Sequence, residues 1–291
     1  LPQDPPRHER FGQGNWVGHV LLVTGLALLA VAMSQGVRLN WFHSPLITGA
    51  LTGGLIATAA GLISEWRHPS PFIRLQLLAR RNLGLGFTLF IGLLVLFLSG
   101  ALLPMHFLAE VQGYRPLQSG VLSLIIGLPQ LVLGSLVALM LYRPWVDARK
   151  VLAAGLVLLA LSCWLGAQVN SEWMWRQFVT VQVLQSFGQP MAVVSLLFLS
   201  TSVVQPEEGP FVSGMVNMLR AFGTALGSAL ITQMMLERGR FHSDMLLGNL
   251  ATTLATADAY RVLGILALVL IPLALCLTPV APPRLPSPST E

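Results

Sequence analysis

LGLGFTLFIGLLVLFLSGALLPMHFLA, residues 83–109, is a run of 27 residues without a single Lys, Arg, Asp or Glu. About 20 such residues are enough to cross the hydrocarbon core of a bilayer as a helix. The rest of the chain is built in the same way. Of its 291 residues 54% are hydrophobic and 10% charged, and its mean hydropathy is +0.70, whereas soluble domains carry roughly 25% charged residues. The fold class read from this is an all-α polytopic membrane protein, because an open strand in lipid cannot satisfy its backbone groups.

Seven more apolar stretches accompany the first. The eight expected spans are residues 16–33, 44–63, 83–109, 119–142, 151–169, 178–204, 211–236 and 261–278. Of the 17 basic residues only Lys150 is Lys. The basic residues sit in short loops between apolar runs rather than in a stripe with interleaved aromatics, so the net charge of +5 does not indicate a nucleic-acid partner. One set of loops holds Arg7, Arg10, Arg67, Arg74, Arg80, Arg81, Arg143, Arg149, Lys150 and Arg284; the other holds Arg38, Arg115, Arg176, Arg238 and Arg240. The positive-inside rule makes the first set cytoplasmic, with both termini on that side. Five segments follow: a cytoplasmic tail at 1–15, two spans at 16–63, an amphipathic cytoplasmic linker at 64–82, six spans at 83–278, and a disordered Pro-rich tail at 279–291. The opening Leu1-Pro2-Gln3, with no Met and no leader pattern, reads as the interior of a longer protein.

No enzyme constellation is visible. HExxH, G-x-S-x-G, CxxC, P-loop and G-x-G-x-x-G patterns are absent, so no catalytic residue, metal site or cofactor is assigned. His19 and His106 read as structural groups near span ends, His242 with Asp244 as an exposed loop pair, and Cys163 and Cys276 as small hydrophobes. All 12 acidic residues fall in loops, tails or span edges, which leaves no proton-carrying carboxylate at span depth. The polar groups that do lie at that depth are Pro129 and Gln130, Gln185, Gln189 and Pro190, and Asn217 with Arg220. Burying an arginine in a span costs at least roughly 2.5 to 3.5 kcal/mol. Arg220 is therefore expected to face a cavity and to be held by nearby carbonyls or by polar groups such as Gln185. Gly223 with Gly227, and Gly49 with Gly53, have the spacing that lets a second helix approach closely.

Several stretches together resemble the major facilitator superfamily, specifically its 14-spanner drug:proton antiporters of the EmrB/QacA type. PSPFIRLQLLARRNLGLG is similar to that family's Arg-Asn opening of the C-terminal bundle, and GYRPLQSGV to a turn within it. YRPWVDARKVL matches the superfamily's cytoplasmic gating loop at Asp147, Arg149 and Lys150 but not at its glycines. LQSFGQP matches a family pattern at Gln185, Gly188 and Pro190. PEEGPFVSGMVNMLRAFGTALGSAL matches a long family run through Asn217, Arg220, Gly223 and Gly227. The resemblance implies two extra helices plus the C-terminal six-helix bundle, with the N-terminal bundle and its acidic proton site outside this chain. It also implies a bacterial inner membrane location, a small amphipathic substrate exchanged for protons, and a periplasmic membrane-fusion adaptor as a candidate partner. Beside this reading stand a non-transporting receptor or scaffold on the same fold, and an intramembrane enzyme.

Overall fold

A computed structural model describes residues 14–243 and 248–280. The expected tails at 1–15 and 279–291 lie almost wholly outside the described residues, and Asp244 also lies outside them. The described residues form helices only: α1 (Trp16–Gln35), α2 (Pro45–Arg67), α3 (Arg81–Leu96), α4 (Leu98–Ala101), α5 (Leu103–Glu110), α6 (Pro116–Leu141), α7 (Ala148–Gly166), α8 (Trp175–Thr201), α9 (Gly209–Ser243) and α10 (Gly248–Leu275), with short 3-10 turns between some of them. Contacts divide the chain into two compact units, Leu1–Arg80 with Gln205–Ala229, and Arg81–Val204 with Leu230–Glu291.

Eight long helical stretches appear if α3 to α5 count as one, but seven are long and apolar enough to cross a membrane. The exception among the described residues is α9, which the sequence led us to expect as a crossing. Its length of 35 residues is ample; Asn217, Arg220 and the small polar residues around them dilute its apolar character. The final span also differs from expectation. Asn249–Leu275 is apolar enough as a whole. The helix itself begins at Gly248, more than three turns before residue 261. Thr252, Thr253 and Asp258 disguise that start. Thr253 and Thr256 return their hydroxyls to the carbonyls of Asn249 and Thr252, both at 2.8 Å, and so stay buried at little cost.

In the first unit α1 and α2 lie antiparallel and very close. Their seam repeats every seven residues: Gly18, Gly25 and Ala32 on α1, Ile47, Gly54 and Gly61 on α2. A heptad of this kind keeps one face of each helix on its partner. A Cβ at Gly25 would stand 3.0 Å from the Gly54 carbonyl, and one at Gly61 would stand 2.9 Å from the Leu22 nitrogen. The expected pair Gly49 and Gly53 is not this seam: Gly49 has open space beside it and Gly53 only a loose contact with Leu28. The seam's lower end is tied by Asn15, whose Oδ1 caps the Gly18 N–H at 3.0 Å while its Nδ2 donates to Ser64 Oγ at 2.9 Å.

The linker after α2 packs back against the start of α1. Phe72 packs edge-on against Trp16 and at a tilt against His19, with ring centres 5.3 and 5.0 Å apart, and the segment forms a 3-10 turn at Leu75–Ala79. Arg80 grips Glu208 through two hydrogen bonds of 2.6 and 2.8 Å. That pair, with a further bond from the Gln205 N–H, holds the Glu208 carboxyl below the usual carboxylate range.

In the second unit α8 is central, packing on α6 and α7, while α10 packs on α3 and α7. Gly155 and Gly188 let α7 and α8 touch backbone to backbone. Asn82, 2% exposed, ties the start of α3 to the residues that follow α10: its Oδ1 accepts from the Thr278 N–H and hydroxyl at 2.8 and 2.6 Å, and its Nδ2 donates to the Thr278 carbonyl at 3.1 Å.

Candidate functional site

The first crossing of the second unit is irregular at Phe97 and Leu102, which separate α3, α4 and α5 while keeping right-handed helical dihedrals. Pro104 explains one consequence. It has no N–H, so the Gly100 carbonyl four residues earlier loses its helical donor. In lipid such an orphan costs several kcal/mol unless another group reaches it. Gln182 of α8 does so: its Nε2 donates to the Gly100 oxygen at 3.0 Å.

From this point a line of amides crosses the unit. Gln182, Gln185 and Gln189 share one face of α8, three and four residues apart. Gln185 is fully buried, and its Nε2 donates to both Ser99 Oγ at 2.7 Å and Ser162 Oγ at 2.9 Å. Those hydroxyls pass their own protons to the carbonyls of Leu96 and Val181. Gln185 Oε1 accepts from Gln189 at 3.0 Å, and Gln189 Oε1 accepts from Gln130 of α6 at 2.7 Å. The network thus runs from a dry interior to the half-buried Gln189 and Gln130. Pro129 and Pro190, also inside helices, lie beside its outer members. Every group in the line is neutral. It offers hydrogen bonds to a ligand, not a nucleophile or a charge. The Gln182 Oε1 is left buried with no partner in the described structure.

Sequence reasoning picked Gln130, Gln185, Gln189 and Pro190, which the fold brings together. It missed Gln182, Ser99 and Ser162, although Gln182 could have been found from its place on the Gln185 face. Asn217 and Arg220 are exposed on α9, within the first unit. Among the described residues the Arg220 side chain meets no acceptor; its carbonyl takes the Thr224 hydroxyl at 2.7 Å. Gly223 and Gly227 are buried.

At the gating-loop residues, Asp147 caps α7 through the Arg149 N–H and binds the Arg149 guanidinium at 3.2 and 2.9 Å. Those bonds hold the Asp147 carboxyl below its ordinary value, with burial opposing them. Arg149 also donates to the Leu277 carbonyl at 3.3 Å, and Lys150 is exposed. Two expectations about ionisable groups need correction. Glu65, near the end of α2, is fully buried, with Oε2 on the Ile73 N–H at 3.0 Å and Oε1 unpartnered. His242 is not a solvated loop residue: it lies 3.2 Å from Asp258. Among the described residues no cluster of three or more metal-ligating side chains occurs.

Residues 85–291 match the family model of the Major Facilitator Superfamily. The chain is 30% identical over 221 residues to the cephamycin export protein CmcT of Amycolatopsis lactamdurans, covering 74% of this chain and 44% of that one. It is 23% identical to the colistin resistance protein EmrB of Acinetobacter baumannii, covering 75% and 42%, and 28% identical to the puromycin resistance protein pur8 of Streptomyces alboniger, covering 78% and 46%. The chain therefore spans less than half the length of each of these relatives. With the family match extending over most of its length and an all-helical fold of apolar spans beneath it, this chain belongs to the Major Facilitator Superfamily, a family of transporters rather than enzymes.

Proposed function

We propose that these residues are the C-terminal part of an exporter of small amphipathic compounds, driven by proton exchange and working by alternating access. Residues 16–63 are its two additional spans, 64–82 a cytoplasmic linker, and 83–278 the six-helix bundle. The observation that carries the reading is the irregular α3–α5 crossing, with its freed Gly100 carbonyl, backed by the amides of Gln182, Gln185, Gln189 and Gln130. Irregular backbone at membrane depth is tolerated where it lines a cavity or is buried in protein. Neutral donors and acceptors suit substrates that are mostly apolar with a few polar atoms. The export and resistance names of the relatives support the same direction.

The membrane is read as a bacterial inner membrane, with both ends of the chain cytoplasmic. Single cysteines at Gly113 and Lys150 are then expected to label from opposite sides of intact cells; labelling from one side at both positions would reverse this topology.

Arg220 is assigned to the wall of the substrate path. In the complete transporter Arg220→Lys is expected to impair efflux nearly as much as Arg220→Ala, because a planar fork and an ammonium bind differently. Membrane abundance, read on immunoblots of membranes, should stay normal, since neither substitution adds charge to the helix. Wild-type efflux by Arg220→Ala at wild-type abundance would remove Arg220 from the site.

A further inference from the structure

On the second unit an apolar groove of about 500 Å³ runs between α7 and α10. Val157, Leu161 and Trp164 form one wall, and Arg261, Gly264 and Leu268 the other. These residues recur three or four apart on each helix, so each wall is a single face. Gly264 gives the groove its depth, because the nearest atom to a Cβ there would be Cys163 Cβ at 3.4 Å. Between Val157 and Ala167 the groove is about 15 Å long at 1.5 Å per residue. That is half of a hydrocarbon core about 30 Å thick, the depth of one leaflet.

The groove's two ends differ. Toward Val157 and Leu268 it is wholly apolar. At the other end Trp164, 66% exposed, stands at the rim, with Trp173 and Trp175 in the loop and helix start that follow α7. Tryptophans gather at headgroup level. Arg261 projects there beside Asp258, which it meets at 2.9 Å, and the same carboxylate faces His242 at 3.2 Å and Arg238 at 3.9 Å. Asp258 faces two arginines, and the neighbouring Glu237 is met by Arg240 at 3.8 Å, so the rim stays positive even with His242 neutral. Both arginine side chains are more than half exposed. Tyr260, fully buried against the groove, keeps a hydroxyl with no partner.

From this geometry we propose that the α7–α10 groove is a binding site for one anionic phospholipid of the leaflet on the side of Arg261. Its acyl chain lies along Leu161 and Leu268, and its phosphodiester sits at Arg261 and Arg238. The length of the groove matches one leaflet, and the charge at its mouth matches an anionic headgroup. This site is separate from the amide line, and its failure would leave the transport reading untouched.

The test uses quenching of Trp164 fluorescence in the reconstituted chain by phospholipids brominated in the acyl chain, with Trp164→Phe subtracted to isolate the signal. Phosphatidylglycerol is expected to compete roughly fivefold better than phosphatidylcholine, in keeping with the strength of one basic residue at an anionic surface. Arg261→Gln with Arg238→Gln should bring that ratio close to one. Ala160→Phe should block the quenching by filling the groove; if it does not insert, the arginine pair alone decides. Equal quenching by both lipids in the wild type, or a preference that survives loss of both arginines, overturns the proposal. Displacement of the quencher by tetraphenylphosphonium, without any preference for phosphatidylglycerol, also overturns it and gives the groove to an amphipathic cation.

Discussion

Replacing Gly155 with Leu is expected to leave α7 unable to seat on α8. A Cβ at position 155 would lie 2.8 Å from the Ala192 nitrogen and 2.9 Å from the Gly188 oxygen, and both are backbone atoms that cannot rotate away. Overpacking costs about 1 to 3 kcal/mol where side chains can adjust, and more where they cannot. The consequence reaches beyond local stability, because α7 carries Ser162 and α8 carries Gln185. Thermal unfolding in detergent should show a large fall in melting temperature, or no folded peak on size exclusion. Gly127→Leu is the control, since nothing lies within 4 Å of a Cβ there. Equal loss in both variants would show that the close approach of α7 and α8 is not what the fold depends on.

The second large effect is expected at Gln185. Leucine there removes the donor to Ser99 and Ser162 and the acceptor of Gln189 in one step. An unpartnered buried polar group costs about 1 to 3 kcal/mol, while hydrogen bonds between helices in membranes average about 0.6 kcal/mol. Stability should therefore fall moderately. Transport should fall further, on the order of tenfold or more, because 1.4 kcal/mol at the rate-limiting barrier already has that effect. Efflux in cells, normalised to membrane abundance, measures it. Unchanged efflux by Gln185→Leu would make the network a structural fixture.

Much of the fold was legible because lipid imposes few choices: long uncharged runs such as 83–109 must be helices. What was illegible follows from the same physics. Hydropathy cannot see that α3 to α5 is irregular, since Phe97 and Leu102 are as apolar as their neighbours. It also underrates the start of α10, where threonines satisfy their hydroxyls on their own helix. Small-residue spacing found the wrong glycines in α2. The i, i+4 rule selected Gly49 and Gly53, whereas the seam follows the i, i+7 repeat of Gly54 and Gly61 against Gly18 and Gly25. Glu65 was passed over because it lies near a span end, yet close packing of α1 on α2 buries it completely. The amide line was half legible. Gln185, Gln189 and Gln130 stand out in apolar helices, but their serine partners do not, since Ser99 and Ser162 are ordinary residues until the helices bring them within 3 Å of one amide.

In the proposed transporter the half-buried end of the amide line, at Gln189 and Gln130, lines the substrate path. The most direct test is Gln189→Cys in the complete transporter with Cys163 and Cys276 replaced by alanine. The rate of modification by a membrane-permeant maleimide would be measured with and without a transported compound. The account predicts modification in the absence of substrate and several-fold slower modification at saturating substrate, with no such protection at the exposed control Lys150→Cys. Equal rates with and without substrate at position 189 would contradict it.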